Sequence, residues 1–483
     1  MVLTTLLNPS YLVNPFFRIS KNTPETARRY YFLMKDYPRI FYICVFLFVM
    51  PIKFLGFSFI LILSLFNSYQ YRIYNRKIII SRNLFVTHAT KSNLVGSETD
   101  RFFDELPKLT REKYFNTIVL YTFQQKFGYK TVDKLLSLKD SNSQHILMPK
   151  FLRLSENFTF LKIAMKLSIF CFLTGFRIFF KNKVNSKILF ASSLTFLNRN
   201  CYVNYLIANR VLDFCQKGIT KKIFLTLEGH SYEHLVVHKV SGLDRRIIYF
   251  LRQHSPITRD HFGLKYFLES KARNIFVLTT GDFYKRYFES IEQGNNILVL
   301  GSSRGAVPNI LSHPDINRAI LYTPEASSKI SLEFMYLVRS LVVSSQDYKH
   351  VLRLHPDVRR SFKIRILLAM LKQYDNFELS STSLILDFQR VDFVIYRSSV
   401  VAIESLPTGR ILIFYGSESI DNSNVLWGFK NLFHVARSRE NLLQLIEEHN
   451  NYNKFQISNN IYKSLFSEID QRVVKEINQI TSL

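Results

Sequence analysis

The 483-residue sequence predicts an α/β chain of two Rossmann-like units behind an apolar helical segment. Three observations support this. From residue 187 onward, short apolar runs alternate with segments of helical periodicity, the mark of parallel strands joined by crossover helices. Polar residues stand where those runs stop, which is where open α/β sheets bind ligands. Residues 40–66 are almost wholly apolar and lie apart from that rhythm.

The apolar segment comes first, within a basic region 1–75 that carries Arg28, Arg29 and Lys35. It exceeds the roughly 20 residues that a spanning helix needs. Lys53 near its middle is costly in hydrocarbon, and Pro51 invites a break. Arg39 before it and Arg72, Arg76 and Lys77 after it make both flanks basic, so both ends are expected on the cytoplasmic side. A re-entrant or in-plane helical hairpin is the expectation, with a single span or a soluble helix pair as alternatives. A second apolar stretch, 158–181, has Lys162 and Lys166 four residues apart on one helical face. It reads either as an interfacial helix or as a surface helix capping a core.

Between these stretches, Ile78-Ile79-Ile80 fits a strand and 98–127 fits a helix, with no chemistry evident. Strands are predicted at 187–191, 222–227, 247–251, 275–279, 296–300, 319–323, 350–354, 376–379, 392–396 and 411–415. Helices are predicted at 199–217, 329–343, 358–373, 438–449 and 459–480. Glu292-Gln293-Gly294-Asn295-Asn296 reads as a linker. It divides an N-terminal unit, 76–290, from a C-terminal unit, 291–445, and 446–483 closes the chain as a helical segment.

Lys and Arg exceed Asp and Glu by 64 − 37 = 27, which calls for an anionic partner. Nucleic acid is disfavoured, since neither zinc-finger spacing nor an RNP-type aromatic motif occurs. Cys44, Cys171, Cys201 and Cys215 form no C-x-x-C pair, which fits a reducing compartment. The first apolar run begins too far along the chain for a cleavable signal.

The candidate chemistry lies at strand ends. Leu225-Thr226-Leu227-Glu228-Gly229-His230-Ser231-Tyr232-Glu233-His234 follows a strand and opens a helix. Glu228 or Glu233 is placed to act as a general base toward an acceptor hydroxyl. Glu233 in a first helical turn also simply complements the helix dipole. The same stretch contains H-x-x-E-H, which offers His230 and His234 as zinc ligands in an alternative hydrolase reading. Gln253 and His254 follow the next strand and are candidates for donor or acceptor contact. Gly301-Ser302-Ser303-Arg304-Gly305 suits a tight phosphate-facing turn, with Arg304 neutralising a diphosphate or acidic sugar. Glu325 follows another strand and is placed to hold ribose or base, or to cap a helix. His355 and Pro356 end the strand at 350–354. Ser398 and Ser399 end the strand at 392–396 and open a helix that carries Glu404. Serine hydroxyls and free N–H groups at such a place suit a phosphate. No D-x-D occurs, so no metal or cofactor is expected. His355, Arg304, the serines and helix N-termini are expected to meet the leaving-group charge.

A strand ending in His-Pro, then Ser-Ser and Glu before a final apolar strand, resembles bacterial sialyltransferases, polysialyltransferases and capsule β-Kdo transferases. The resemblance covers the C-terminal third well and the middle third weakly. It implies a GT-B-like glycosyltransferase in bacterial surface polysaccharide assembly. That enzyme would transfer sialic acid or Kdo from a CMP-activated donor to a glycan or lipid-linked acceptor, with inversion. His355 would contact the donor phosphate and the serines would help hold it. An acidic pair followed by Gly supplies the base in the polysialyltransferase-like group. Glu228-Gly229 matches its second acid and its glycine, while Leu227 stands where the first acid would. The implied location is the cytoplasmic face of the inner membrane, with an anionic membrane surface as a further partner. Enzymes that transfer polyol phosphates share the fold and motifs. A non-catalytic membrane-bound scaffold is the alternative from another class.

Overall fold

The computed structural model describes residues 39–480 apart from 66–69, 72–73, 75–81, 89–99, 101, 111–116, 123–142, 179–185, 187–188, 191–192, 195, 218–219, 229, 245, 259–273, 292–295, 306–317, 326–327, 356–357, 360, 417–422 and 450–458. Thirteen strands form two sheets among these residues. The first contains β1 (Asn83–His88), β2 (Thr117–Thr122), β3 (Ser143–Leu147), β4 (Lys222–Thr226), β5 (Ile248–Arg252), β6 (Ile275–Thr279) and β7 (Asn296–Val299), in the order β3-β2-β1-β4-β5-β6-β7. The second contains β8 (Ala319–Thr323), β9 (Lys349–Leu352), β10 (Phe377–Leu379), β11 (Phe393–Tyr396), β12 (Ile411–Tyr415) and β13 (His434–Ala436), in the order β10-β9-β8-β11-β12-β13. Every pairing between these strands is parallel. The two-Rossmann-domain architecture expected from the sequence is therefore present.

Parallel strands need crossovers, which the helices supply. They are α1 (Arg39–Leu65), α2 (Leu106–Leu109), α3 (Leu154–Ile178), α4 (Arg199–Lys217), α5 (Ser231–Ser241), α6 (Asp282–Ile291), α7 (Ser328–Ser344), α8 (Phe362–Leu371), α9 (Leu384–Gln389), α10 (Val401–Glu404), α11 (Arg439–His449), α12 (Asn459–Leu465) and α13 (Gln471–Gln479). Side chains along a strand alternate between its faces, so each sheet feeds two cores. In β11, Val394 and Tyr396 join the core that runs through both domains, while Phe393 and Ile395 join the core under α7, α8 and α11.

One face of the first sheet carries a phenylalanine ladder. Phe85, Phe224, Phe250 and Phe276 are in register on β1, β4, β5 and β6. Successive ring centroids are 4.1, 4.8 and 5.3 Å apart. Each such pair adds roughly 0.5–1.5 kcal/mol beyond area burial. Phe103 and Leu106 cover the ladder from nearby in the chain, and Val474 and Ile477 of α13 cover it from the far end. Buried Lys222 fixes α13 by donating to the last-turn carbonyls of Ile477 (3.0 Å) and Asn478 (2.9 Å). A cation at that end also complements the helix dipole.

Several expectations are corrected. The boundary does not fall at 290–291, because β7 pairs with β6 and completes the first sheet. The Gly301–Gly305 turn thus ends the first domain instead of opening the second. The segment 446–483 is not a separate closing unit, since α12 and α13 return to the first domain. Predicted helix 459–480 is two helices, and Asp470 caps the second by accepting from the Arg472 amide at 2.8 Å. Of the strand expected at 187–191, Leu189 and Phe190 are helical instead and pack at Gly175 of α3. Within 98–127, Thr117–Thr122 is a fully buried strand whose signal the surrounding charges hide. The Ile78-Ile79-Ile80 strand lies outside the described residues.

Residues 39–65 form one uninterrupted helix instead of a hairpin, with Pro51 inside it. Proline removes one intrahelical hydrogen bond. Tertiary contacts on both sides of it offset that loss. Phe46 stacks on Phe172 at 4.0 Å, Phe57 lies 5.7 Å from Phe160, and Lys53 donates to Asn198 at 2.6 Å and to the Leu194 carbonyl.

The chain between α12 and α13 crosses the ends of β6 and β7 at backbone contact distance. The Ser467 amide donates to the Thr280 carbonyl (2.8 Å), and the Ser302 amide donates to the Ser467 carbonyl (2.7 Å). A Cβ on Gly301, whose φ is +85°, would lie 1.9 Å from the Glu468 carbonyl oxygen. Gly301→Ala is therefore expected to destabilise the protein by about 2–4 kcal/mol in denaturant unfolding. A surface-exposed glycine such as Gly56, whose added Cβ meets nothing within 4 Å, provides the control.

Candidate functional site

Both sheets read 3-2-1-4-5-6 in chain order, extended by one strand in the first. The order reverses between β1 and β4 in one sheet and between β8 and β11 in the other. Such reversals leave a crevice at the carboxyl ends of the two strands. The first crevice holds His88 at the end of β1 and Glu228 and His230 just beyond β4.

Glu228 is the hub. One carboxylate oxygen lies 2.6 Å from His230 Nε2. The other accepts from Ser255 Oγ at 2.6 Å and lies 3.1 Å from His254 Nε2. Burial opposes the charge on Glu228, but His254 and His230 outweigh it and hold the carboxyl well below its ordinary range. His88 stands beside the hub, with its ring 6.3 Å from that of His230 and its Nδ1 2.6 Å from Thr122 Oγ1. Burial, and then the neighbouring His230, push the His88 pKa down to about 4. The site is thus a half-buried carboxylate held ionised by His254 and His230, with the His88 imidazole beside it; the ionised form is the one able to accept a proton.

Glu233 has a different position. It is 0 % exposed, and its two oxygens accept from Thr226 Oγ1 (2.8 Å) and the amides of Glu228 (3.1 Å) and His230 (2.9 Å). It shapes the turn after β4, as the capping-box spacing suggests. Burial raises its pKa to about 7. Glu233 is fully buried behind these bonds, whereas Glu228 is partly exposed, which favours Glu228 over Glu233 as the direct base. In the zinc-hydrolase reading His230 would be a ligand, and its Nε2 instead lies against Glu228. Among the described residues, no three His, Cys, Asp or Glu side chains are placed to share an ion.

His254 joins the hub. Gln253 does not: it is fully buried, donates to the Ser255 carbonyl (2.6 Å) and accepts from the Thr280 amide (2.8 Å). It ties β5 to β6 and is not a contact residue. Gly301 is likewise consumed by packing, and the adjacent Ser303 donates to Asp104 at 2.5 Å. Asp104 in turn pairs with buried Arg252 at 3.1 Å. The phosphate-facing turn expected there is filled by protein.

In the second domain, Glu325 lies just beyond β8, His355 beyond β9, and Ser398 and Ser399 beyond β11. All four are half-buried at the same sheet edge. Pro356 lies outside the described residues. Ser398 has φ +51°, a left-handed conformation that a non-glycine residue holds only at a cost. Its hydroxyl donates to the Ser423 carbonyl at 2.8 Å. The helix that follows, α10, has only four residues. The helix that the two serines were expected to open is thus short, and what the structure places at this sheet edge is the set of polar strand ends. Arg397 is committed to Glu333 at 2.6 Å, and Arg353 to Asp387 at 2.7 Å.

Arg304 and Glu404, both expected on the nucleotide, meet each other across the domain interface at 3.7 Å. Burial raises the Glu404 pKa against the pull of Arg304 and Arg353. The Arg304 guanidinium also lies 5.8 Å from the Phe466 ring centre, and its carbonyl accepts from Tyr462 at 2.6 Å. The rest of this interface is aromatic: Phe283 and Tyr287 of α6 pack on Trp427, whose indole donates to the Ile257 carbonyl at 2.9 Å. No sequence pattern flagged His88 or this interface. The β1 run Leu84-Phe85-Val86 ahead of His88 is the one signal that could have found the first of them.

No protein-family model matches this chain, and no curated protein matches it. Solved structures do resemble it. The UDP-GlcNAc 2-epimerase of Neisseria meningitidis bound to UDP-GlcNAc is 10% identical, with 82% of this chain and 98% of that one covered at a TM-score of 0.46. The glycotransferase of kitacinnamycin is 10% identical, with 83% and 99% covered at 0.46. An Anabaena protein in complex with UDP and glucose is 11% identical, with 82% and 100% covered at 0.44.

The His88 pKa lies below the unfolded value, so neutral His88 contributes stability that is full above about pH 6.5. That contribution is lost as pH falls toward 4. Denaturant unfolding across this window should show His88→Asn losing about 1–3 kcal/mol less stability on acidification than the parent chain.

Proposed function

We propose that this protein is a glycosyltransferase that uses a nucleotide-activated sugar and inverts the sugar's anomeric configuration. The Glu228 hub carries the reading: an ionised carboxylate at the switch point of the first sheet, bonded to two imidazoles and bordered by a third. The acceptor hydroxyl loses its proton to Glu228, with His230 and His254 positioned to pass it on. The acceptor oxygen then bonds to the anomeric carbon. The bond from that carbon to the donor phosphate breaks, and the nucleotide leaves with the electron pair. The polar strand ends Glu325, His355, Ser398 and Ser399 in the second domain hold the nucleotide. The finer assignment follows from the resemblance of the His-Pro and Ser-Ser motifs. It is a CMP-activated sialic acid or Kdo donor, with a product in bacterial surface polysaccharide.

Two experiments test this. A thermal-shift series over cytidylyl, uridylyl and guanylyl nucleotides should show stabilisation by one base class. Stabilisation by uridylyl or guanylyl compounds alone refutes the CMP assignment, and a flat response to all three refutes nucleotide-sugar use. With the donor identified, Glu228→Gln should keep nucleotide binding and lose at least ~100-fold in turnover, because an amide cannot take the proton. His355→Ala should lose a comparable factor through the departing phosphate. A fully active Glu228→Gln variant would exclude Glu228 as the base.

A further inference from the structure

Two helices leave a broad apolar surface on the outside of the first domain. Among the described residues, α1 and α3 are long and apolar enough to cross a membrane by length and composition. They lie side by side and antiparallel, because Phe46 stacks on Phe172 while Phe57 meets Phe160. The face of α1 turned away from the domain includes Phe48 at 73%, Leu55 at 69% and Phe59 at 60% exposure. On α3, Phe158, Ile169 and Leu173 are exposed along the same side as Lys162 and Lys166.

These lysines decide how the pair meets its surroundings. They sit near the middle of α3 on its outward stripe, which a spanning orientation would place in the hydrocarbon centre. A charge there is expensive, whereas in the headgroup plane a lysine snorkels to phosphate while its neighbours enter the acyl region. The ring contacts hold α1 alongside α3, so α1 shares the same tilt to the membrane. Lys53 supports this, since it points inward to Leu194 and Asn198 and leaves the outer face of α1 without charge. The net charge of +27 favours an anionic surface.

We infer that α1 and α3 form a plate that lies flat in one leaflet of an anionic lipid membrane, without crossing it. Tyr202, in the first turn of α4, packs on both Phe57 and Phe160 and so ties the plate to the first domain. The docking itself does not depend on the proposed transfer reaction.

The test uses the full chain and vesicles of phosphatidylcholine with or without phosphatidylglycerol. Sedimentation should show binding that strengthens with phosphatidylglycerol. Replacing Phe48, Leu55 and Phe59 together with serine should weaken it at least about tenfold with an unchanged unfolding midpoint. Lys162→Gln with Lys166→Gln should weaken binding to anionic vesicles alone, by roughly tenfold. Tryptophan placed singly at Phe48, Leu55 or Ile62, which share the outward stripe of α1, reports depth through brominated lipids, with Trp427 as the unquenched reference. Equal, shallow depths are expected. A Leu55→Trp signal deeper than both others would mean a crossing helix and overturn the inference. So would an absence of vesicle binding, or a lipid-free dimer that the triple serine variant dissociates.

Discussion

The phenylalanine ladder on the first sheet is the constraint to which much of the chain answers. Four aromatic rings in register make a flat apolar face that must be covered. The covering helix, α13, comes from residues 471–479, beyond the whole of the second domain's sheet. To reach that face, the chain leaves the second domain and crosses the ends of β6 and β7. The crossing runs so close to Gly301 and Gly305 that neither position has room for a side chain. The same return path sets α12 against both domains and places Phe466 and Tyr462 beside Arg304. Interface and core are therefore consequences of one covering requirement.

The site follows from topology and local bonding together. A sheet of parallel strands gathers all its outgoing turns at one edge, and the reversal of strand order opens a gap there. The turn after β4 is made rigid by Glu233, which gathers the Glu228 and His230 amides and the Thr226 hydroxyl. That frees Glu228 to face the histidines. The two glutamates five residues apart thus divide structure and chemistry between them, one buried and fully bonded, the other half-buried and charged.

Much of the fold was legible in the sequence. Strands such as 319–323, 411–415 and 275–279 appear where apolar runs and turn residues place them, and α4 has the bounds its periodicity implies. Failures cluster where tertiary context overrides local pattern. Thr117–Thr122 is a buried strand amid charged residues that read as helix, and Pro51 continues a helix because its neighbours pack on α3. The boundary was misplaced because Asn296–Val299 looks the same whether it opens one sheet or closes another; only pairing decides. At the site, Glu228, His230 and His254 were identifiable from strand-end positions. Gln253, Gly301, Arg304 and Glu404 were identifiable as polar or glycine strand-end residues, but their bonds to other protein groups were not. Arg304 and Glu404 lie about a hundred residues apart, and nothing local announces that they will meet.

The return of the C-terminus also orders events during synthesis. A ribosome delivers β1 to β7 long before Val474 and Ile477 emerge. Until then the ladder face lacks its distal cover, and buried Lys222 has no carbonyls to bind. The ladder face must therefore wait, partly uncovered, for residues some two hundred positions further along the chain. Removing α13 would be felt first in the core of the N-terminal domain.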